Sequence, residues 1–277
     1  MRLGISFVLP HSSPAEWAAQ NRALGLRAVV FPCGADEPDG RIDAYAEAAR
    51  EQDLLIAEVG AWSNPMSPDA GVRAQARRHC RAQLALAERV GARCCVNIAG
   101  GCGERWDAGY RANYAADTRL EIIRFVQNLL DEVAPKAACY ALEPMPWMVP
   151  SSPEDYARLL NEIDRPQFAV HMDLANMINC PERYFFSADL IDRCFDLLAG
   201  RIRSCHVKDV RLEQTLTQHL REVPCGEGGL DLAHYARRAH QADPDMPFIL
   251  EHLETEAQYR AAVDYLRNLC ERENIPY

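Results

Sequence analysis

Short apolar runs alternate with amphipathic segments along the 277 residues, and eight such repeats predict an α/β protein whose parallel strands close into a (β/α)8 barrel. Two observations carry this expectation beyond the alternation itself. No long structureless linker or break in composition divides the chain, and barrels routinely use about 250 residues as one domain, so residues 1–277 are expected to form a single domain. Four consecutive apolar runs also end in a polar, metal-capable residue: Glu143, Asp173, His206 and Glu251. A barrel gathers the carboxyl ends of its strands around one mouth, so these four would converge there. An open, doubly wound sheet remains compatible with the same alternation.

The elements follow in order. Leu3–Val8 is the first apolar run, and Ser13, Pro14 and Glu16 form a capping start for a helix reaching about Leu24. Ala28–Phe31 is the second strand, Asp43–Arg50 the second helix, and Leu54–Val59 the third strand, with Glu58 near its end. The turn-rich AWSNPMSPDAG follows. From Gly71 to Val90, Ala76, Cys80, Leu84 and Ala87 recur at helical spacing, and Gly91 marks the stop.

Cys94–Ile98 is the fourth strand, with Asn97 near its end, and the Gly-rich AGGCGERWDAGY leads to a helix over Thr118–Val133, with Thr118 and Glu121 as a capping box. Ala138–Glu143 is the fifth strand, after which Ser152 caps a helix to Ile163. Phe168–Val170 runs into Asp173, and Ile202–Ser204 runs into His206. The segment between them, Ser187–Leu198, repeats apolar residues at helical spacing. A long connection, DVRLEQTLTQHLREVPCGEGGLD, follows; Asp231 caps Leu232–His240, Phe248–Glu251 is the eighth strand, and Thr255–Arg272 closes the chain.

Thirty Lys and Arg against forty Asp and Glu leave a net charge of −10, which works against binding a polyanion, because cationic side chains supply most non-specific nucleic-acid affinity. A small-molecule partner is expected, with no nucleic acid and no membrane. No apolar run approaches the roughly 20 residues that span a bilayer, and MRLGISFVLPHSSP lacks the basic start and apolar core of a signal peptide, so the expected location is cytoplasmic. Eleven scattered cysteines without a CxxC pair suit buried thiols in a reducing compartment.

Glu143 and Glu251 directly follow apolar residues, where an unpaired charge is costly to bury. Ligation of a cation answers that cost; an ion pair with a nearby arginine is the alternative. His206 is a metal ligand or a hydrogen-bonded core histidine. His171 precedes Asp173 by two residues, so both point the same way along the strand, and His171 either supports a ligand from one layer below or packs in the core. Lys208, two residues beyond His206, could reach a substrate oxygen or anion, or lie on the surface. Glu58, Trp62, Asn64 and Asn97, with Trp147 and His219, sit where the barrel mouth would contact a substrate, although loop structure accounts for them equally. Gly226, Gly228 and Gly229 shape a turn, and no strand-G-x-x-x-x-G-K phosphate cradle is present.

At LEPMPWMVPSSPEDY, HMDLANMIN, SCHVKD with the later VPCGEGGLD, and ILEH, the chain resembles the sugar isomerase/epimerase superfamily built on a xylose-isomerase-like TIM barrel. The resemblance implies one divalent metal ion, Mn²⁺ or Mg²⁺ before Co²⁺ or Zn²⁺, held by Glu143, Asp173, His206 and Glu251. It further implies that Glu143 and Glu251 act as acid and base on opposite faces of a sugar-like substrate. The chain departs from relatives in two places: Asn176 stands where many carry a histidine three residues after the aspartate, and Met145 where xylose isomerases carry a lysine. The further histidines of the three-zinc endonuclease branch are missing.

The implied activity is a metal-dependent isomerase or epimerase acting on a sugar, sugar acid or sugar phosphate by proton transfer through an enediolate. A lyase or dehydratase on a keto sugar or keto-glycoside begins with the same proton abstraction and is the alternative; an endonuclease-IV-like phosphodiesterase fits the charge and the ligand count less well. A homo-oligomer is compatible with the family.

Overall fold

A computed structural model describes residues 1–277. In chain order the elements are β1 (Arg2–Ile5), α1 (Pro14–Ala23), β2 (Ala28–Val30), α2 (Asp39–Glu51), β3 (Leu55–Gly60), α3 (Ala70–Val90), β4 (Cys94–Asn97), α4 (Ala116–Val133), β5 (Cys139–Leu142) and α5 (Pro153–Ile163). They continue with β6 (Phe168–Asp173), the short α6 (Leu174–Met177) and α7 (Pro181–Phe185), α8 (Ser187–Leu198), β7 (Ile202–Val207), β8 (Asp209–Glu213) and β9 (His219–Val223). The last three are α9 (Leu232–Ala242), β10 (Pro247–Leu250) and α10 (Glu256–Arg272).

Eight strands form one parallel sheet in the order β1-β10-β7-β6-β5-β4-β3-β2. The ends β1 and β2 meet through the backbone, Arg27 N donating to Leu3 O at 2.9 Å, so the sheet is a nearly closed (β/α)8 barrel and not an open one. Large side chains such as Trp17, Tyr156, Phe168, Tyr235 and Phe248 fill the layer between barrel and helices. The barrel interior is filled by small residues: Cys139 and Ala141 share the strand face of Glu143, Ala169 shares that of Asp173, and all three pack with Cys94. None of the eleven cysteines is in a disulfide.

The caps at Ser13, Ser152, Asp231 and Thr255 form as their residue types require, each side chain accepting the N–H of the residue three positions on. Gly91 ends α3 at a φ of 71°. Four expectations need correction. β1 stops at Ile5 because the chain leaves the sheet after Ser6 N donates to Leu250 O. Pro38 and Asp39 start α2 earlier than Asp43. The Thr118–Glu121 box does not form, because a 3-10 turn at Arg111–Tyr114 starts α4 at Ala116; Thr118 Oγ1 donates to Ala112 O, and Glu121 accepts from Arg77. The long connection contains an antiparallel hairpin, β8 with β9.

Two register shifts set the site. Val29 pairs with Ile56 but Val30 with Glu58, leaving Ala57 as an extra residue and re-aiming Glu58. Likewise Val170 pairs with Ile202 but His171 with Ser204, which brings Asp173 beside His206.

Candidate active site

Glu143 and Glu251 directly follow β5 and β10, Asp173 ends β6, and His206 lies in β7. One ligand atom from each of the four lies within 4.8 Å of the others, and all four residues are buried. His206 Nδ1 is 2.8 Å from Glu251 Oε2 and 3.2 Å from Glu143 Oε1. Asp173 also caps α6: its Oδ1 accepts the N–H of Asn176 at 3.0 Å, and the Asn176 side chain donates to Glu143 Oε1 at 3.3 Å. A four-residue helix thus holds Asp173 and Glu143 in one frame.

A second buried layer lies on the other side of His206. Glu58 is 1% exposed; its Oε2 stands 3.1 Å from His206 Nε2, and its Oε1 accepts from His171 Nε2 at 3.0 Å and from Ser204 Oγ. A neutral imidazole donating Nε2–H to Glu58 presents the Nδ1 lone pair toward Glu143 and Glu251, the arrangement by which an outer carboxylate orients a metal-binding histidine. The His171 and His206 rings meet edge to face with centroids 4.0 Å apart.

Charges in this space act strongly. Burial, reinforced by the Glu251 charge, pushes the Glu143 carboxyl up to about 7. Burial works the same way on Glu251, but His206 and Lys208 outweigh it and hold that carboxyl well below the usual range. Glu58 is likewise held low against its burial by His206 and His171. Lys208, itself buried, lies against Glu251 Oε1 with its Nζ 2.7 Å from Asp173 Oδ2.

The fit of a cation can be judged from these atoms. Asp173 Oδ2 is wholly buried with the Lys208 ammonium at 2.7 Å as its partner, and three carboxylates converge on a space that contains that one ammonium group. Oxygen-rich donor sets with one imidazole suit a hard divalent cation, so these buried groups could bind a metal ion.

Glu143, His206 and Glu251 open into a cavity of about 410 Å³, whose lining also includes Glu58, Trp62 and Asn176; Asp173 is wholly buried and does not line it. Other residues expected at the mouth lie elsewhere. Asn97 points outward: its Oδ1 accepts from Ser63 N and Ile98 N, and the residue is wholly buried against α3. Asn64 is spent on loop structure, donating to Gly101 O and accepting from Met66 N. Trp147 stays at the surface with its Nε1 donating to Asp107 O, and exposed His219 begins β9 opposite Glu213; neither lines the cavity. Lys208 is inside the site, paired with carboxylates and not presented to the mouth. Glu58 is below the mouth, on the floor.

Sequence reasoning missed Trp106, Asp107 and His252 on the cavity wall, Met145 as more than a departure from a pattern, and Ser204 beneath it. His252 adopts a φ of 58°, sparsely populated by non-glycine residues, with Nδ1 3.1 Å from Glu222 Oε2 of the hairpin. Its signal was its place directly after Glu251. Asp209 explains why the HVKD and GEG stretches belong together. Its carboxylate accepts the backbone N–H of Val210, Gly226, Gly228 and Leu230 at 2.9–3.1 Å, and a Cβ on Gly228 would fall 2.2 Å from Asp209 Oδ1.

No curated protein sequence matches the chain. Among solved structures it is similar to D-psicose 3-epimerase from Clostridium cellulolyticum, at 12% identity over 97% of this chain and 99% of that one, with a TM-score of 0.70. It is similar to the probable 3-DHS dehydratase involved in petrobactin synthesis from Bacillus anthracis at 17% identity over 97% and 99%, TM-score 0.72. Endonuclease IV from Thermus thermophilus aligns at 12% identity over 98% and 100%, TM-score 0.74. At such identities the likeness is one of fold, and it spans three different chemistries. The family described as xylose isomerase-like TIM barrel, however, matches residues 18–269, nearly the whole barrel, and the chain belongs to that family.

Proposed function

We propose that this protein is a divalent-metal-dependent isomerase or epimerase of a sugar-like keto compound, which moves a proton at the carbon next to the carbonyl. The observation that supports it best is the placement of Glu143 and Glu251 around His206 Nδ1, at 3.2 and 2.8 Å, both lining one cavity. Glu143, Asp173, His206 and Glu251 would hold the cation, Mn²⁺ or Mg²⁺ by the chemistry of the donors. Such a cation supplies polarisation of a carbonyl and stabilises negative charge developing on its oxygen.

The chain's own residues do the rest. One glutamate takes the carbon-bound proton and the other delivers a proton from the opposite side, a role that needs carboxylates within hydrogen-bond reach of the substrate. Their surroundings differ in the way such a pair requires. Glu251 lies beside the Lys208 ammonium, while Glu143 accepts from the Asn176 amide and stands 3.2 Å from His206 Nδ1. Asn176 fixes the Glu143 carboxylate, and Glu58 fixes the His206 ring.

The test is turnover in deuterated buffer. Keto sugars incubated with the Mg²⁺-loaded protein should gain deuterium next to the carbonyl, seen by NMR. Glu143→Gln and Glu251→Gln should each slow the exchange on the order of 10²- to 10⁴-fold. Accumulation of an unsaturated product would shift the assignment to a lyase. Turnover without any solvent deuterium, or full exchange in both variants, would overturn the acid–base pair.

A further inference from the structure

The cavity has two unlike regions. Its floor carries Glu58, Glu143, His206 and Glu251, whereas its wall includes the indoles of Trp62 and Trp106, 43% and 38% exposed, with apolar Ile98 and Met145. No Lys or Arg side chain lines it; its fixed charges are four carboxylates, those of Glu58, Asp107, Glu143 and Glu251.

Each nearby cation is already committed. Lys208 lies buried against Glu251 and Asp173. His252 faces Glu222 at 3.1 Å and Glu251 at 3.6 Å, and Arg105 is paired with Asp107 at 3.3 Å. The N–H of Asn176 in α6, another candidate anion donor, is taken by Asp173. Glu58, Glu143, Asp173 and Glu251, set against Lys208 and a divalent cation, still leave one negative charge. A phosphate or carboxylate on the substrate would add to that charge in a partly enclosed space, without the arginine fork or free lysine that normally receives such groups.

We propose that the site takes an uncharged keto sugar, seated with an apolar C–H face against Trp62 and Trp106, and that it discriminates against sugar phosphates and sugar acids. The proposal rests on the function argued above and narrows its substrate class. The cavity volume of about 410 Å³ is that of a small-molecule site. Indole faces exposed at a rim offer apolar contact to a ring while leaving its hydroxyls to the polar floor. Gly60 is part of this arrangement: a Cβ there would lie 2.5 Å from Trp62 Nε1, so only glycine lets the indole stand where it does.

The experiment is a tryptophan-fluorescence titration of the Mg²⁺-loaded protein with D-fructose and D-tagatose against D-fructose 6-phosphate and D-tagaturonate, repeated on Trp62→Ala, Trp106→Ala and Gly60→Ala. Neutral sugars should change the emission and bind at least about tenfold more tightly than their charged counterparts, a difference of roughly 1.4 kcal/mol. Each indole variant should weaken neutral-sugar binding on the order of fivefold, the range of single aromatic contacts. Gly60→Ala should reproduce the Trp62 effect with every indole present. Equal or tighter binding of the phosphate or the uronate, no binding of either neutral sugar, or unchanged binding in all three variants would overturn the proposal. Deuterium exchange confined to a charged sugar would overturn it while leaving the acid–base pair standing; neutral-sugar binding without exchange in any sugar would do the reverse.

Discussion

Glu58 shows how one buried carboxylate can decide what the atoms above it are able to do. With Oε2 3.1 Å from His206 Nε2, it determines which imidazole nitrogen is left facing Glu143 and Glu251. A glutamine there keeps the volume but removes the charge and offers an amide N–H to His171 or His206 in place of an acceptor. Glu58→Gln should therefore weaken divalent-cation binding on the order of 10- to 100-fold, as loss of such outer partners does, while circular dichroism stays that of the folded barrel. Unchanged Mn²⁺ affinity by calorimetry would show that the ring is oriented by other contacts. At this scale the four converging residues were legible, because each ends an apolar run and strand alternation keeps its direction. The true place of Glu58 was not, since it depends on the extra residue at Ala57. Asn97 shows the converse: one step along the alternation turns a strand-end residue from the mouth to the helix layer.

Helices were legible where a cap and an apolar face agreed, as at Ser152 with Tyr156, Leu159 and Leu160, and less so where the start rests on backbone alone, as at α4. The β8–β9 hairpin escaped notice for a physical reason: residues 211–222 are mostly polar and half-buried or exposed, so no alternation marks them. What holds the hairpin base is Asp209, which satisfies four backbone N–H groups at once, and through Glu222 the hairpin reaches His252 and the neighbourhood of Lys208. Asp209 is buried, so Asp209→Ala leaves those donors without their acceptor. The cost should be about 1–3 kcal/mol, read as a lower urea midpoint, with faster proteolytic cleavage within residues 211–230. A variant with an unaltered midpoint and unaltered cleavage would mean that the turn is held by its own backbone bonds.

Closure of the barrel is a property of the whole molecule, and the alternation of strands and helices did not decide it, since an open sheet reads the same way. Its local sign is a glycine inside the first apolar run. β1 and β2 meet through the backbone at Leu3 O, and at Gly4 the strands come so close that a Cβ would lie 2.6 Å from Ala28 O and 2.5 Å from Ile249 Cδ1. The first of these is backbone and cannot yield without opening the seam; the second is the tip of a flexible side chain. Gly4→Ala should therefore destabilise by about 1–3 kcal/mol, as overpacking does, instead of gaining the usual benefit of replacing glycine in a strand. Shortening the tip with Ile249→Val in the same chain should recover only part of the loss, because Ala28 O remains in place. The effect should also reach the mouth, since β1 is in register with β10 through Ile5 and Leu250, the residue before Glu251. Cation affinity measured on the folded fraction of Gly4→Ala should fall with stability. Wild-type stability in Gly4→Ala, or complete rescue by Ile249→Val, would mean that the seam has slack and that closure does not depend on this approach.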